Sequence, residues 1–376
     1  MRYYIIAGEA SGDIHGSNLI RALKQIDQDA EFRCWGGDRM EQAGGRIVQH
    51  IRELAFMGFA EVIANLPEIR RNFRFCRQDM EAFQPDAVIL IDYPGFNLRM
   101  APFIKSRGYK LYYYISPQVW AWKKSRVKTI SRYVDRMLVI LPFEKEFYRE
   151  HGVGVDYVGH PLLDELTAGN GNDDDKISLE REAGSRLVAL LPGSRMQEIK
   201  KMLPEMAQVS ERFPGYHFEV SLAPSIREET YRRILEPWPE ITLSKDNMHR
   251  LLRRSRAAIV TSGTATLETA LLNVPQVVCY KSSPLSYFIA RQVVDKKYVR
   301  YISLVNLIAG YRIVPELIQK DMNREKIAEA LEAILKDGEA RREMLTGYGK
   351  LKKLLGEGGA SARAAEIITT DLMKHS

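Results

Sequence analysis

The sequence predicts an α/β protein of two units, each a doubly wound parallel sheet with helices on both faces. Three observations carry that prediction. Short runs such as Ala87–Ile91, Leu187–Leu191 and Ala257–Val260 are wholly apolar, so they read as strands buried on both faces. Each leads into a turn rich in Gly, Pro or hydroxyls and then into a helical pattern, and the alternation occurs in two series. Between the series lies AGNGNDDDK, residues 168–176, a polar break of the kind that joins domains. The 376 residues give each half enough chain for its own core. Domains are therefore expected at 1–167 and 168–356, with residues 357–376 forming a last helix able to cross back to the first.

Composition narrows the class. With 45% apolar and 27% charged residues the chain has a soluble globular make-up, and no apolar run approaches a membrane span. The N-terminus opens at once on a strand, Tyr3–Ile6, without a signal-peptide layout. Cys34, Cys76 and Cys279 are neither even in number nor at metal-ligand spacing, which points to a reduced, cytoplasmic setting. A net charge of +7 and a pI near 9.1 suit anionic partners: nucleic acid, a phosphorylated substrate or an acidic membrane surface. Charge does not choose among them.

In the first series, Leu19, Ile20, Leu23 and Ile26 recur at helical spacing after the opening strand. The loop between carries Gly8, Glu9, Ser11, Gly12 and Asp13. It lacks G-x-G-x-x-G spacing, which counts against a nicotinamide dehydrogenase, yet it lies at a strand's carboxyl edge, where such sheets place ligands. A helix cap by Ser11 or Asp13 would use the same residues. A strand at 32–36 and a turn at Gly44-Gly45 follow. Residues 54–77 interleave apolar bulk, including Phe59, Val62, Ile63, Leu66, Ile69 and Phe73, with Arg70, Arg71, Arg74 and Arg77. That pattern fits an interfacial segment on anionic lipid, and equally a core helix with a solvated arginine face. Pro67 is expected to break it into two short helices.

The strand at 87–91 stops at Asp92, and Pro94 is expected to keep Tyr93 extended. An acid at that edge points into the ligand crevice and can serve as general base toward a substrate hydroxyl; an Asx-turn is the plainer use for it. A strand at 110–115 leads to Trp120, Trp122, Lys123, Lys124, Arg126, Lys128 and Arg132. That cluster suits stacked bases and phosphates, or the walls of a small-molecule cleft. A strand at 136–141, a helix at 143–150 and a lone His160 beside Pro161, at a hinge, complete the series.

In the second series Pro192-Gly193-Ser194-Arg195 directly follows a strand and ends in a forked cation able to clamp phosphate oxygens. The run at 257–260 enters Thr261-Ser262-Gly263-Thr264 and then a helix ending near Asn273. Strand, Gly turn and helix N-terminus together make an anion site, with free N–H groups and the positive end of the helix dipole at the strand edge. Gly263 admits close approach, and Ser262, Thr264 and Thr266 add donors. Glu268 only accepts hydrogen bonds, which suits ribose hydroxyls better than phosphate. These features read as a nucleotide-diphosphate site, although a capped strand-to-helix junction uses the same residue types. Strands at 218–222, 241–243 and 277–280 continue the alternation. Asn306 falls near a turn, residues 323–354 are helical, and 360–373 form the final helix.

Collinear segments then carry a resemblance over nearly the whole chain. AGEASGDIHG (7–16), MGFAEV (57–62), IDYPGFN (91–97), YYISPQVWAWKKSRV (113–127) and LPFEKEFY (141–148) resemble the lipid-A-disaccharide synthase family. So do YVGHPLLDEL (157–166), LLPGSRMQEI (190–199), SGTATLE (262–268) and NLIAG (306–310). The resemblance implies the GT-B architecture, two Rossmann-like domains facing across a cleft. It implies an inverting glycosyltransferase that moves 2,3-diacylglucosamine from its UDP carrier to 2,3-diacylglucosamine 1-phosphate. The products are a β-1,6 disaccharide 1-phosphate and UDP, formed without metal or other cofactor at the cytoplasmic face of the inner membrane.

Residue by residue, Asp92 matches the base for the acceptor's 6-hydroxyl, Arg195 the residue near the UDP phosphates, Glu268 the ribose-contacting acid and Asn306 a required amide. Glu9, Ser11 and Asp13 match the loop facing the acceptor. The 57–77 segment falls on the family's membrane and acyl patch, which tips its two readings toward the interfacial one. Family structures include a dimer with exchanged C-terminal domains, on which this sequence is silent. Within IDYPGFN this chain has Tyr93 and Gly95 where other members can have a small residue and a second acid, so Asp92 stands as the sole strong base. The alternatives are a UDP-sugar 2-epimerase or another GT-B transferase with a soluble substrate, neither needing the arginine-studded patch. In a different class, pI and the Trp–Lys cluster would fit a nucleic-acid binder.

Overall fold

The computed structural model describes residues 1–54, 66–121, 125–168, 184–283 and 298–374. The chain divides into two compact units, Met1–Asp164 with Glu357–Ser376, and Glu165–Gly356. Strands β1 (Arg2–Ala7), β2 (Glu31–Gly36), β3 (Arg46–His50), β4 (Ala87–Ile91), β5 (Lys110–Tyr114), β6 (Arg136–Val139) and β7 (Asp156–Tyr157) build the first unit's sheet. Their order is β3-β2-β1-β4-β5-β6-β7, all parallel. The second unit has β8 (Leu187–Leu191), β9 (His217–Val220), β10 (Thr242–Leu243), β11 (Ala257–Thr261), β12 (Gln276–Tyr280) and β13 (Glu316–Ile318). They lie parallel in the order β10-β9-β8-β11-β12-β13.

Around these sheets run α1 (Ala10–Ile26), α2 (Asp38–Gln42), α3 (Leu66–Phe83), α4 (Pro94–Ser106), α5 (Ser125–Tyr133), α6 (Glu144–Glu150) and α7 (Leu162–Ala168). There follow α8 (Met196–Ala207), α9 (Glu228–Leu235), α10 (Met248–Arg254), α11 (Thr264–Leu271), α12 (Leu304–Ala309), α13 (Arg324–Leu335), α14 (Glu339–Leu355) and α15 (Ala360–Met373).

The central strands are the apolar runs of the sequence: every residue of β4, β8 and β11 is buried. Because βαβ crossovers keep one hand, reversing the winding direction leaves a gap between helices at the carboxyl edge. In the first unit that reversal falls between β1 and β4, in the second between β8 and β11. Those two strand pairs decide where ligands can enter.

The last helix belongs to the first unit. Ala364, Ala365, Ile368 and Leu372 of α15 join Leu19, Ile20 and Leu23 of α1 in one core. Asp164 caps α15 by accepting from the Gly359 and Ser361 N–H groups. The Arg363 guanidinium donates to the Val158 carbonyl at 2.8 Å and the Gly358 carbonyl at 2.7 Å.

Several expectations need correction. Pro67 sits in the first turn of α3, where a missing N–H costs nothing, and the helix runs on from it to Phe83; the stretch before it, where the expected first helix would lie, is outside the described residues. Residues 55–65, with Phe59, Val62 and Ile63, lie outside the described residues. The 323–354 stretch is two helices, α13 and α14, parted just before Gly338. The edge strands β3 and β13 were not legible, because RIVQH is only half-buried and ELI spans three residues.

Candidate active site

In the second unit a cavity of about 440 Å³ opens at the β8/β11 reversal. Gly193, Ser194, Arg195, Ser262, Gly263, Thr264 and Glu268 all line it. The two turns after β8 and β11 supply one wall each. Gly193 holds φ +108, a conformation that favours glycine, and this lets the chain turn sharply into α8. Glu198 accepts from the Ser194 N–H at 3.1 Å and the Arg195 N–H at 3.3 Å, so a carboxylate already sits on those amides. The Arg195 guanidinium is largely exposed and 3.7 Å from Glu198. Across the cavity Gly263 and Thr264, at the head of α11, are exposed. The Ser262 hydroxyl spends its proton on the Ile302 carbonyl at 2.7 Å.

Two expected donors are absent from this wall. Thr266 is fully buried and its hydroxyl donates to the Gly263 carbonyl at 2.8 Å, tying the first turn of α11 instead of facing a ligand. Asn306 is also fully buried: its amide donates to the Val314 carbonyl and Glu316, each at 2.9 Å, and its carbonyl accepts from the Ile313 and Val314 N–H groups. It reaches the cavity only by relay. Glu316 accepts from the Ile302 N–H at 3.0 Å, and the Ile302 carbonyl holds Ser262.

Two further groups at this cavity were not expected from the sequence. His249 places its Nε2 2.5 Å from the Glu268 carboxylate and fixes it at the cavity's edge. Ser221–Pro224, beyond β9, form part of the lining. Neither segment carries a motif. Only the strand order brings them in.

In the first unit the β1/β4 reversal gathers Glu9 and Asp92. Glu9 is exposed at the N-cap of α1 and Ser11 is exposed in its first turn. The expected loop is shorter than the sequence implied, because α1 starts at Ala10 and takes in Ser11 and Asp13. Asp13 is no ligand group. It is buried, and accepts from the N–H groups of Gly37 at 2.7 Å, Arg39 at 3.1 Å and Met40 at 3.0 Å, capping α2.

Asp92 is half-buried. Burial, with help from the neighbouring Glu9 charge and against the Tyr93 N–H, pushes its carboxyl up to about 6. Tyr93 is not extended. Asp92 and Tyr93 stand at φ 43 and φ 46, two successive left-handed residues that each cost about 1–2 kcal/mol. Pro94 disfavours the right-handed alternative for Tyr93. The Tyr93 ring occupies the space that a Cβ on Gly8 would need.

Beside this turn, Phe96 stacks on Tyr93 at 5.8 Å and on Phe73 of α3 at 4.4 Å. Phe73 and Ile69 are half-buried, while Arg70 and Arg74 are exposed. With Arg77, Phe103 and Arg107 the two arginines line a groove on the outer face of α3. Leu66 enters only as the first residue of that helix. Trp120 is buried, donates to Glu144 at 3.2 Å and packs edge-on against Phe143, so it offers no face for base stacking. Trp122, Lys123 and Lys124 lie outside the described residues. His160 is buried too, its Nδ1 accepting from the Leu162 N–H at 3.2 Å.

Two doubly wound parallel units, each with polar groups at its reversal, define the GT-B fold class, which by itself does not choose an activity. Among solved structures, UDP-GlcNAc 2-epimerase from Neisseria meningitidis, bound to UDP-GlcNAc, is similar over 100% of both chains, with a TM-score of 0.66 and 13% identity. A calicheamicin glycosyltransferase is similar over 100% of this chain and 99% of its own, with a TM-score of 0.62 and 16% identity. At such identities the likeness is one of fold. Sequence goes further: the family model described as lipid-A-disaccharide synthetase matches residues 3–368. The lipid-A-disaccharide synthase of Geobacter sulfurreducens is 41% identical over 378 residues, 99% of this chain and 98% of that protein. That of Myxococcus xanthus is 40% identical over 374 residues, 98% and 96% of the two. The chain belongs to the lipid-A-disaccharide synthase family.

Proposed function

We propose that the protein transfers 2,3-diacylglucosamine from UDP-2,3-diacylglucosamine to the 6-hydroxyl of 2,3-diacylglucosamine 1-phosphate, with inversion. The observation that carries this reading is Asp92: a partly buried carboxylate at one sheet reversal, raised to about 6, in a chain whose other reversal holds an Arg195-lined cavity. A base with that affinity is ionised at neutral pH and still takes a proton readily.

In the reaction the acceptor oxygen bonds to the anomeric carbon as its proton passes to Asp92. The bond from that carbon to the β-phosphate oxygen breaks, and the electron pair leaves with UDP. Arg195, the amides at the head of α11 and the Thr264 hydroxyl meet the charge that develops there. Glu268, steadied by His249, accepts from the ribose hydroxyls.

The exposed Arg70 and Arg74 beside aromatic bulk on α3 support peripheral binding to the anionic cytoplasmic face of the inner membrane. No described helix is long and apolar enough to cross a membrane. The scheme draws on no metal and no nucleic acid.

The test is to incubate the purified protein with both diacylglucosamine substrates. Disaccharide 1-phosphate and UDP are expected in equal amounts. A donor epimerised at C2 with acceptor untouched would favour the epimerase reading instead.

A further inference from the structure

The left-handed turn at Asp92 is held from behind by two buried side chains. Tyr113 of β5 donates its hydroxyl to the Asp92 carbonyl at 2.5 Å, and the Asn97 amide of α4 donates to the same oxygen at 2.7 Å. Asn97 also reaches the Ile91 carbonyl at 3.3 Å, so its NH₂ end must face the turn: both neighbours there are acceptors. Tyr113 and Asn97 are fully buried. The Asp92 N–H meanwhile continues the sheet, donating to the Tyr114 carbonyl at 3.3 Å. The residue is therefore fixed through both its N–H and its carbonyl, and that orientation decides where the Asp92 side chain leaves the sheet.

We propose that Tyr113 and Asn97 are positioning residues that lock the Asp92 backbone inward and so aim its carboxylate at the acceptor hydroxyl. This rests on the assignment of Asp92 as base. Strain of this kind persists only where surrounding groups over-determine it, and two donors converging on one carbonyl do that. The other end of the Asn97 amide has no such use: its Oδ1 is buried with no hydrogen-bond partner among the described residues. The charged and titratable groups around the turn are Tyr93 beside Asp92, Glu9 at the head of α1, Tyr113 itself, and behind it Tyr148 of α6 and Arg126 of α5.

The experiment compares full-length wild type, Tyr113→Phe, Asn97→Ser and Asp92→Asn in the transfer assay from pH 5 to 9. Tyr113→Phe keeps the ring and is expected to fold, with its melting transition as the check. In both Tyr113→Phe and Asn97→Ser, kcat is expected to fall about 10- to 100-fold, with KM for either substrate within about twofold. The acid limb of kcat/KM is expected to move below its wild-type position near 6, because a released turn lets the carboxylate swing toward solvent and lose its burial. Should Asn97→Ser fail to fold, Tyr113→Phe carries the test alone. Wild-type rates in Tyr113→Phe, or a lower rate with the limb unmoved, would overturn the positioning role. Transfer by Asp92→Asn would instead remove Asp92 as base, and the positioning role with it.

Discussion

Replacing Asp92 with Asn should abolish transfer and at the same time make the protein more stable. The carboxyl rises from its ordinary 3.8 to about 6 on folding. A tenfold change in proton affinity is worth about 1.4 kcal/mol, so keeping this group ionised in the folded state costs at most about 3 kcal/mol. Water reaching the half-buried carboxylate lowers that figure. Between pH 4 and 6 the folded chain binds the proton that the unfolded chain has released, so wild-type stability falls as pH rises through that window. Asparagine has the same shape, keeps an oxygen for the Tyr93 N–H, and carries no charge to bury or to meet Glu9. The variant should therefore match wild type near pH 4 and exceed it above about pH 6.5. For a unit of this size each kcal/mol moves the midpoint by about 2–4 °C.

Tryptophan fluorescence reads the right transition, since Trp35, Trp120 and Trp122 fall in the first unit and only Trp238 in the second. Glu144, which burial pushes up to about 7, contributes equally to both proteins and cancels in the difference. A variant no more stable than wild type at about pH 7.5 would refute the burial argument, and transfer by it would refute the base.

Other substitutions separate the parts. Arg195→Ala should leave the melting transition unchanged, since the side chain is largely exposed, while kcat falls on the order of 10²–10³. At Gly193, φ +108 and a carboxylate oxygen of Glu198 only 2.5 Å from an added Cβ mean that Gly193→Ala should lower stability by about 1–2 kcal/mol, read by denaturant unfolding. His249→Ala frees Glu268 and should weaken UDP about tenfold in a calorimetric titration, with kcat at saturation nearly intact. Arg70→Glu with Arg74→Glu should stop flotation with anionic vesicles but spare activity in detergent micelles; unchanged flotation would take the membrane role from α3.

Much of this protein was written locally. Strands β4, β8 and β11 announced themselves because a strand buried on both faces must be apolar at every position, a rule that acts within a single short run. The turns at Gly193 and Gly263 were legible for a similar reason, and the collinear segments placed the chain in its family. Which polar groups stay free for chemistry was not local. Asp13 and Glu9 look equally available in the sequence, yet Asp13 is consumed by Gly37, 24 residues away. Glu268 owes its fixed position to His249, 19 residues earlier, and the Asp92 carbonyl is gripped by Tyr113, 21 residues later. Asn306 reads as a ligand amide until folding spends it on the Ile313 and Val314 N–H groups and on Glu316. A buried donor or acceptor must find a partner, and the partner's identity depends on strand order. Hydrophobic burial is set by each residue's own chemistry, whereas hydrogen-bond satisfaction is settled between residues that only the tertiary structure brings together.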